Sequence, residues 1–598
     1  MVISKTDITK VAIILLILLI PNVGSAKIIV STDGNAGFSS RKLRSIFVRS
    51  FSDGKIFNDN LEQGISLLKS FYRRNGYVNS QIEYIVDSSR SETAEIRLLI
   101  TEGDRYYTDE IIFEGNKGLA SGILSQALVN KVRKPFNAED LGQDDFNLML
   151  LYADHGYIYA ESDHSLEYRN GRKTVIRYTI KEGPRVKISH IEFNGLQYVK
   201  SKFIINALSF STGEIFSRRE LVKSHYLLQT SGLFANVDIT PGEIDSNGNA
   251  IAVSVNVNEK PRRLFETSIG YGSGDAIRFM AKWAHRNLFG MGRRLEYDGL
   301  VSFQTKLPVD LVRGRSQLSY EDPYFSFLKT PARWEVFYDD FRPSYTDYRL
   351  ETVGFNLSLS MPLANNINID YRWKQEWLKL SPNWQITQYK ADTLSYKGRR
   401  SLSVITSFDK LDDPIHPQSG LSGYLELEYT GGIMGGAETF QRAVNNWTYY
   451  FKIPSRRLSF ANRLRYGIVG DWSRKSVIPG YEMFFLGGPS TVRGYGQGAI
   501  GPVDSRGMVM GGRIQVLVNL QAMVNLGRNW SLAGFLDGGM LSNRTFQKQS
   551  LGEMVSSPGF GVRYAFPFGI GRIDLAAPGT LLGQIKYWRW MVAWGEPF

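Results

Sequence analysis

Several groups of residues in the 598-residue chain have types and spacings that could do chemistry. Gly496-Gln497-Gly498-Ala499-Ile500-Gly501 has the G-x-G-x-x-G spacing of a dinucleotide-binding loop, which needs a buried strand before it and a helix after it. Here Pro502 follows, then the turn-rich stretch Asp504 to Gly507 and a strand, so no nucleotide site is expected. Asp339-Asp340 and Asp412-Asp413 are carboxylate pairs of the kind that divide acid and base work or hold a metal. Phe341 to Pro343 beside the first, and Pro414 and Pro417 beside the second, make both read as turns or loop ends. No His or third carboxylate has ligand spacing, the 6 His are scattered, and no hydrolase triad signature is present. The absence of Cys removes disulfides, Fe–S clusters, zinc–thiolate sites and cysteine nucleophiles. Neither enzymatic activity nor a metal or other cofactor is expected.

A further candidate is Val492-Arg493-Gly494-Tyr495, on a loop where Gly487, Gly488, Gly494 and Gly496 permit tight turns and close approach to a wall. An Arg drawn out of water needs a carboxylate, and its planar guanidinium fixes a loop by paired hydrogen bonds better than Lys would. On residue chemistry alone, an exposed loop Arg with solvent partners is the plainer reading.

The elements around this loop alternate in polarity. From about Arg263 onward, Val353, Phe355, Leu357, Leu359 and Met361 interleave with Gly354, Asn356, Ser358 and Ser360, and Leu425, Leu427 and Tyr429 interleave with Glu426 and Glu428. Ile514, Val516, Val518 and Leu520 interleave with Arg513, Gln515, Asn519 and Gln521, with Leu517 as an exception. A soluble antiparallel sheet also alternates. The distribution of tryptophan points elsewhere, because all 11 lie between Trp283 and Trp594, as in interfacial girdles. The final stretch sets Trp588, Trp590, Val592 and Trp594 on one side, an adhesive patch in water and a favourable face in a bilayer. Backbone groups in hydrocarbon must be satisfied internally, so such strands cross only as a closed barrel. At roughly 20 residues per strand and connection, residues 263–598 give about 16 strands.

Charge divides at the same place. Of a net +13, residues 263–598 carry 39 Lys+Arg against 28 Asp+Glu, and the rest of the chain 32 against 30. An excess spread through membrane-type strands fits an electropositive lumen or loops facing anionic lipopolysaccharide, and nucleic acid is not expected as a partner. The apolar run Val11 to Ile20 follows Lys5 and Lys10 and precedes Gly24-Ser25-Ala26. It is too short to span a bilayer and is read as part of a signal peptide over 1–26.

Between these parts lies a period of roughly 76 to 80 residues. Asn75-Gly76-Tyr77 recurs as His155-Gly156-Tyr157 and, more weakly, Ser231-Gly232-Leu233; Glu102-Gly103-Asp104 recurs as Glu182-Gly183-Pro184 and Glu259-Lys260-Pro261. Phe113-Glu114-Gly115-Asn116 matches Phe193-Asn194-Gly195-Leu196. Each unit reads as strand, two helices and two strands. In the second, the strand Asp109 to Phe113 precedes a helix over Ala138 to Asp154, with Leu141, Phe146, Leu148, Leu151 and Tyr152 on a buried face and Gly156 as C-cap. Asn170-Gly171 predicts a type I′ hairpin turn. The domains are then 27–103, 104–183 and 184–261, followed by a barrel over 262–598.

Three β-α-α-β-β repeats resemble POTRA (polypeptide-transport-associated) domains. Six motifs then follow in order: Asn287-Leu288-Phe289-Gly290, Tyr320-Glu321-Asp322-Pro323-Tyr324-Phe325, Asp412-Asp413-Pro414 to Gly420, Val492-Arg493-Gly494-Tyr495, Phe535-Leu536-Asp537-Gly538-Gly539 and Arg572-Ile573-Asp574-Leu575-Ala576. Together they resemble the BamA/TamA superfamily of outer-membrane assembly barrels, over essentially the whole mature chain. Three repeats, rather than five or two, point to its TamA branch, the translocation and assembly module subunits.

The resemblance implies that the loop of Val492, Arg493, Gly494 and Tyr495 folds into the lumen and meets the wall residues Phe535, Asp537 and Gly539, with Arg493 against Asp537. Where relatives carry a Glu-Tyr pair on the next strand, this chain has Gln521-Ala522, so Asp537 must neutralise more of the Arg. It further implies an outer-membrane assembly factor with periplasmic repeats that helps insert, fold or translocate outer-membrane proteins such as autotransporters. A seam between the first strand (Phe265, Ile269, Gly270 and Gly272, with Gly274 beyond) and the last (Trp590, Val592, Trp594, Gly595 and Phe598) would open and template a client strand. Pairing should end before Pro597, which has no N–H to donate. Expected partners are a TamB-like inner-membrane-anchored protein, unfolded clients and outer-membrane lipid with lipopolysaccharide. A two-partner-secretion exporter, a BamA-like general insertase and a passive porin are the rival readings.

Overall fold

The computed structural model describes residues 27–598 apart from 52–57, 91–92, 273–275, 305–309, 326–329, 344, 347, 383–394, 415, 454–456, 473–476, 506, 528, 544–553, 567–568, 581–586 and 595–598. The signal-peptide expectation over 1–26, and the gate residues Gly595 and Phe598, as well as Gly274 and Pro597, lie outside these. The chain forms two compact units, one holding the first two repeats and most of the third, the other holding the barrel with Gly195–Asn206 and Leu228–Asn236.

Each repeat is a three-stranded sheet with two helices. In the first, Lys27–Asp33 runs parallel to the central strand Thr93–Thr101, which pairs antiparallel with Gln81–Arg90. The second arranges Tyr107–Glu114, Lys173–Lys181 and Glu161–Arg169 in the same way, and the third Lys187–Asn194, Ala250–Glu259 and Phe234–Ile244. Helix Leu141–Asp154 buries Leu141, Leu148 and Tyr152, but Phe146, expected on the same face, is exposed. Asp144 and Asp145 take up that inward face instead. The hairpin at Asn170-Gly171 also differs. Arg169 pairs with Lys173 across a three-residue loop, and positive φ falls on Gly171 and Arg172, one residue later than a type I′ turn on Asn170-Gly171 requires.

The recurring motifs have two structural causes. The Glu of the Glu-Gly motif caps the turn after the first strand of its own repeat. Glu102 accepts from Gly37 N at 2.9 and 3.0 Å, Glu182 from Lys117 N and Gly118 N at 2.8 and 2.7 Å, and Glu259 from Gln197, Tyr198 and Val199 N at 2.9 to 3.0 Å. The Gly of the Asn/His-Gly-Tyr motif sits at the joint to the next repeat. Gly76 O accepts from Tyr106 N at 2.8 Å and Gly156 O from Val186 N at 2.9 Å. Arg105 Nε and Arg185 Nε donate to the carbonyls of Asn75 and His155 at 2.9 and 3.0 Å. Both glycines have φ near +95°, and a Cβ would meet Tyr106 O at 2.5 Å or Ile215 Cγ2 at 2.7 Å.

Tyr72 and Tyr152 donate to the capping Glu102 and Glu182 at 2.9 and 3.0 Å; the third repeat has the buried Leu228 at this place. Burial, then the hydrogen bond to the carboxylate, raises both phenols above their ordinary value, and burial with Asp144 does the same to Tyr178. The folded state therefore keeps these protons more tightly than the unfolded chain. The stability they contribute is complete below the unfolded phenol value of about 10 and is lost as pH rises above it. Stepped alkaline pH with brief subtilisin digestion should open residues 27–183 before 184–261, and earlier cleavage in the third repeat would contradict this assignment.

The barrel is one antiparallel meander of sixteen strands in sequence order, from Arg263–Gly272 to Arg589–Trp594, with the two-residue segment Gly579–Thr580 beside its closing strands. Its burial pattern is the reverse of a water-soluble sheet. Leu427 is 49% exposed and its neighbour Glu428 only 8%, and Val353 is exposed while Asn356 and Ser358 are buried. Polar groups line the inside and apolar groups face outward, an arrangement stable only where hydrocarbon surrounds the barrel. On the last strand Trp590, Val592 and Trp594 face out, and Met591 and Ala593 are buried. Trp594, Phe566, Tyr564 and Trp530 form a chain of ring contacts 4.5 to 5.0 Å apart across the outer face. The first strand is exposed on both faces, with Phe265 at 69% and Ile269 at 76%. Its residues Gly270 and Gly272 pair with Arg278 and Ala276 of the second strand. Among the described residues no ladder joins the last strand to the first, although the two come within 8 Å by Cα.

Candidate lumenal loop lock

Residues 471–513 connect strand Leu458–Gly470 to strand Ile514–Gly527, and from Ile478 to Ile500 this connection folds back inside the barrel. Antiparallel bridges Leu486–Ile500 and Phe484–Gly512 brace the loop. Its Ile478, Phe484, Leu486, Val492 and Ile500 form a buried cluster with the inward-facing wall residues Phe440, Val444, Val469, Leu517 and Leu541. Leu517, the break in the alternation, marks where an apolar loop lands on the otherwise polar inner wall.

Arg493 and Asp537 meet in this interior with 0% side-chain exposure each. Arg493 donates to Asp537 from Nε at 2.7 Å, Nη2 at 2.8 Å and its own backbone N at 3.0 Å, and Nη1 donates to Gln521 Oε1 at 2.9 Å. The guanidinium carbon lies 3.4 Å from the centre of the Phe535 ring. Asn519, directly across the ladder from Asp537, adds a bond to the carboxylate at 2.8 Å and one to Thr491 O at 2.7 Å. Gly539 leaves room for Val492, since a Cβ there would stand 2.6 Å from Val492 Cγ2. Gly494, at φ +87°, is equally confined, with Ser557 Oγ 2.8 Å from where a Cβ would be.

Reasoning from sequence missed three parts of the site. Arg563 and Arg572 face each other directly across the ladder, each at 3% side-chain exposure or less, and both contact Asp574. Arg572 Nη2 donates to the loop carbonyl of Pro489 at 2.7 Å. Arg572-Ile573-Asp574 was visible as a motif, and strand alternation alone puts its two charged residues on one face. The loop also reaches the closing strands. Gly494 N lies 3.1 Å from Met591 Sδ, and Tyr495 Oη donates to Gly579 O at 2.6 Å. A further anchor holds the start of the loop, where Glu482 contacts Arg399, itself bonded to Glu376 at 2.8 Å, and Arg442 at 3.4 Å.

The other candidates have structural uses. Asp339-Asp340 lies at the end of strand Thr330–Phe341 rather than in a turn, with Asp339 bonded to Arg313 and Asp340 to Arg349. Asp412 accepts from the backbone of Asp413, Gln418 and Ser419 and closes a turn. Among the described residues no group of three or more His, Asp or Glu is arranged to hold a metal ion.

Three periplasmic-type repeats, an inside-out barrel and a loop pinned inside it define an outer-membrane barrel of the POTRA-bearing class. The model of the Omp85 superfamily domain matches residues 287–584, and a repeat model described as surface antigen variable number repeat, of the POTRA type, matches 26–103, 106–183 and 186–260. The chain belongs to the Omp85 superfamily; its barrel lies in the bacterial outer membrane and its repeats in the periplasm.

It is similar to the outer membrane protein assembly factor BamA of Neisseria meningitidis serogroup B, 22% identical over 80% of this chain and 62% of that protein. The BamA of Nitratidesulfovibrio vulgaris is 22% identical over 90% of this chain and 67% of that protein. The chain thus spans about two thirds of the length of these relatives. In fold it is similar to the crystal structure of BamA from Haemophilus ducreyi lacking POTRA domains 1–3, with a TM-score of 0.61, 18% identity, and coverage of 81% of this chain and 99% of that one.

Proposed function

We propose that the protein is a non-enzymatic assembly factor that helps outer-membrane proteins insert and fold, acting through the seam between its first and last barrel strands. The observation that carries this reading is the state of the seam: a first strand exposed on both faces beside a last strand that is docked, with no ladder between them among the described residues. Unpaired backbone groups in hydrocarbon are costly, so a client strand that pairs with such an edge is stabilised by the edge itself. The repeats supply further sheet edges for β-augmentation in the periplasm. Their number, three, favours the TamA-type branch with autotransporters among its clients, and a TamB-like inner-membrane-anchored protein as partner. BamA-like general insertion is the broader form of the same reading.

The chain has no cysteine, so one cysteine placed in each seam strand gives a clean oxidative lock. Locking should halt assembly of a test autotransporter in proteoliposomes, and reduction should restore it. Full activity of the locked protein would refute the gate, and release of a soluble substrate instead would favour an exporter.

A further inference from the structure

We propose that Asp574 is the second counter-ion of the loop lock, a positioning residue on which the lock depends as much as on Asp537. The inference deepens the assembly reading by saying what keeps its loop in place. Arg493, Arg563 and Arg572 are gathered in an interior where their side chains are 3% exposed or less, and they face two carboxylates, Asp537 and Asp574, and one neutral amide, Gln521. Among the described residues, three cations there meet two carboxylates. Asp537 is saturated, because its oxygens already accept three bonds from Arg493 and one from Asn519.

Asp574 takes Arg563 Nη1 at 2.6 Å on one oxygen and Arg572 Nη1 at 3.0 Å on the other, with Arg493 Nη1 at 3.9 Å. Arg563 and Arg572 are direct cross-strand partners, a placement that is repulsive unless a carboxylate lies between them. Without it they must separate, and Arg572 then releases the Pro489 carbonyl, four residues before Arg493. Asp574 therefore acts on the loop through Arg572.

Gln521 offers the control. Its Oε1 accepts from Arg493 Nη1 at 2.9 Å and Arg563 Nη2 at 3.2 Å, so a carboxylate at that position would stand between two of the three cations.

The experiment uses the full chain in outer membranes, with Val492→Cys as its single thiol; Val492 is a fully buried residue of the loop, packed against the wall, and is reached by a maleimide only when the loop is displaced. Asp574→Asn should raise the labelling rate about a hundred-fold, as loss of one partner from a buried ion cluster implies. Adding Gln521→Glu should return it to within a few-fold of the parent. Heat-modifiable migration on gels reports barrel folding separately. If Asp574→Asn gives no folded barrel while the double variant does, the inference stands. Parent-like labelling of Asp574→Asn, or a double variant that labels as fast as the single or also fails to fold, overturns it. Labelling reads the loop without any client, so failure here is distinct from failure of the assembly function.

Discussion

Arg493→Ala should free the lumenal loop and bring client assembly close to zero while the three repeats stay folded. The guanidinium makes two side-chain bonds to Asp537, one to Gln521 and a stack on Phe535, with the Arg493 and Asp537 side chains at zero exposure. Truncation removes these and leaves Asp537 as a buried charge held only by Asn519 and a backbone amide. Breaking a buried pair in this way costs about 3–5 kcal/mol, more than the packing of a single loop residue can recover. Arg493→Lys should retain part of the function, because one ammonium cannot reproduce the bidentate geometry. The charge-swapped pair Arg493→Asp with Asp537→Arg should regain only a fraction, since Asn519 would then turn its amide donor toward a guanidinium. Assembly of an autotransporter client, scored against barrel content of the membrane, measures all three; wild-type activity in Arg493→Ala, or no recovery whatever in the swap, would remove the lock from the mechanism.

The second large effect is expected in the periplasmic arm. Asp144 is fully buried and accepts from Asn130 Nδ2 at 2.8 Å, Tyr178 Oη at 3.0 Å, Asn130 N at 3.3 Å and Val129 N. Asp144→Ala leaves two backbone amides, a phenol and one N–H of the Asn130 amide without an acceptor, in the core of the second repeat, while Asn130 Nδ2 keeps only its bond to Asn137 O at 3.0 Å. A destabilisation of about 3–5 kcal/mol follows from stranded buried donors. Asp144→Asn is no remedy, because its NH2 would face donors. Asp145, which bonds Ser162 at 2.7 Å and His164 nearer the surface, should matter less when replaced. Urea-dependent proteolysis of the full chain, with fragments mapped to residues 106–183, gives the comparison. Equal resistance of Asp144→Ala and wild type would show that the carboxylate is dispensable.

How far the sequence was readable depended on whether a feature was periodic. Two-residue alternation survives in the chain wherever a strand separates lumen from lipid, so the barrel was legible from Leu425 to Tyr429 and similar runs, and its strand number from the length of residues 263–598. The repeats were legible because turn caps and joints demand the same residue types each time. The third copy reads as weaker because Leu233 and Lys260 stand where the other two have Tyr and Gly, yet Glu259 still caps its turn. What stayed hidden was set by contacts between distant segments. Phe146 belongs by period to the buried face, but Asp144 and Asp145 occupy it for hydrogen bonds that no local pattern shows. Arg493 with Asp537 could be named only through resemblance. Asp574, Arg563 and Arg399 came from register, which decides who stands opposite whom across strands far apart in the chain.

The twin joints of the periplasmic arm determine how it carries force. Gly76 with Arg105 and Gly156 with Arg185 lock each repeat to the next through backbone carbonyls, with no slack segment between them. Each joint is therefore made of bonds that bending would have to break, so the orientation of one repeat is handed to the next by its backbone rather than left to a linker.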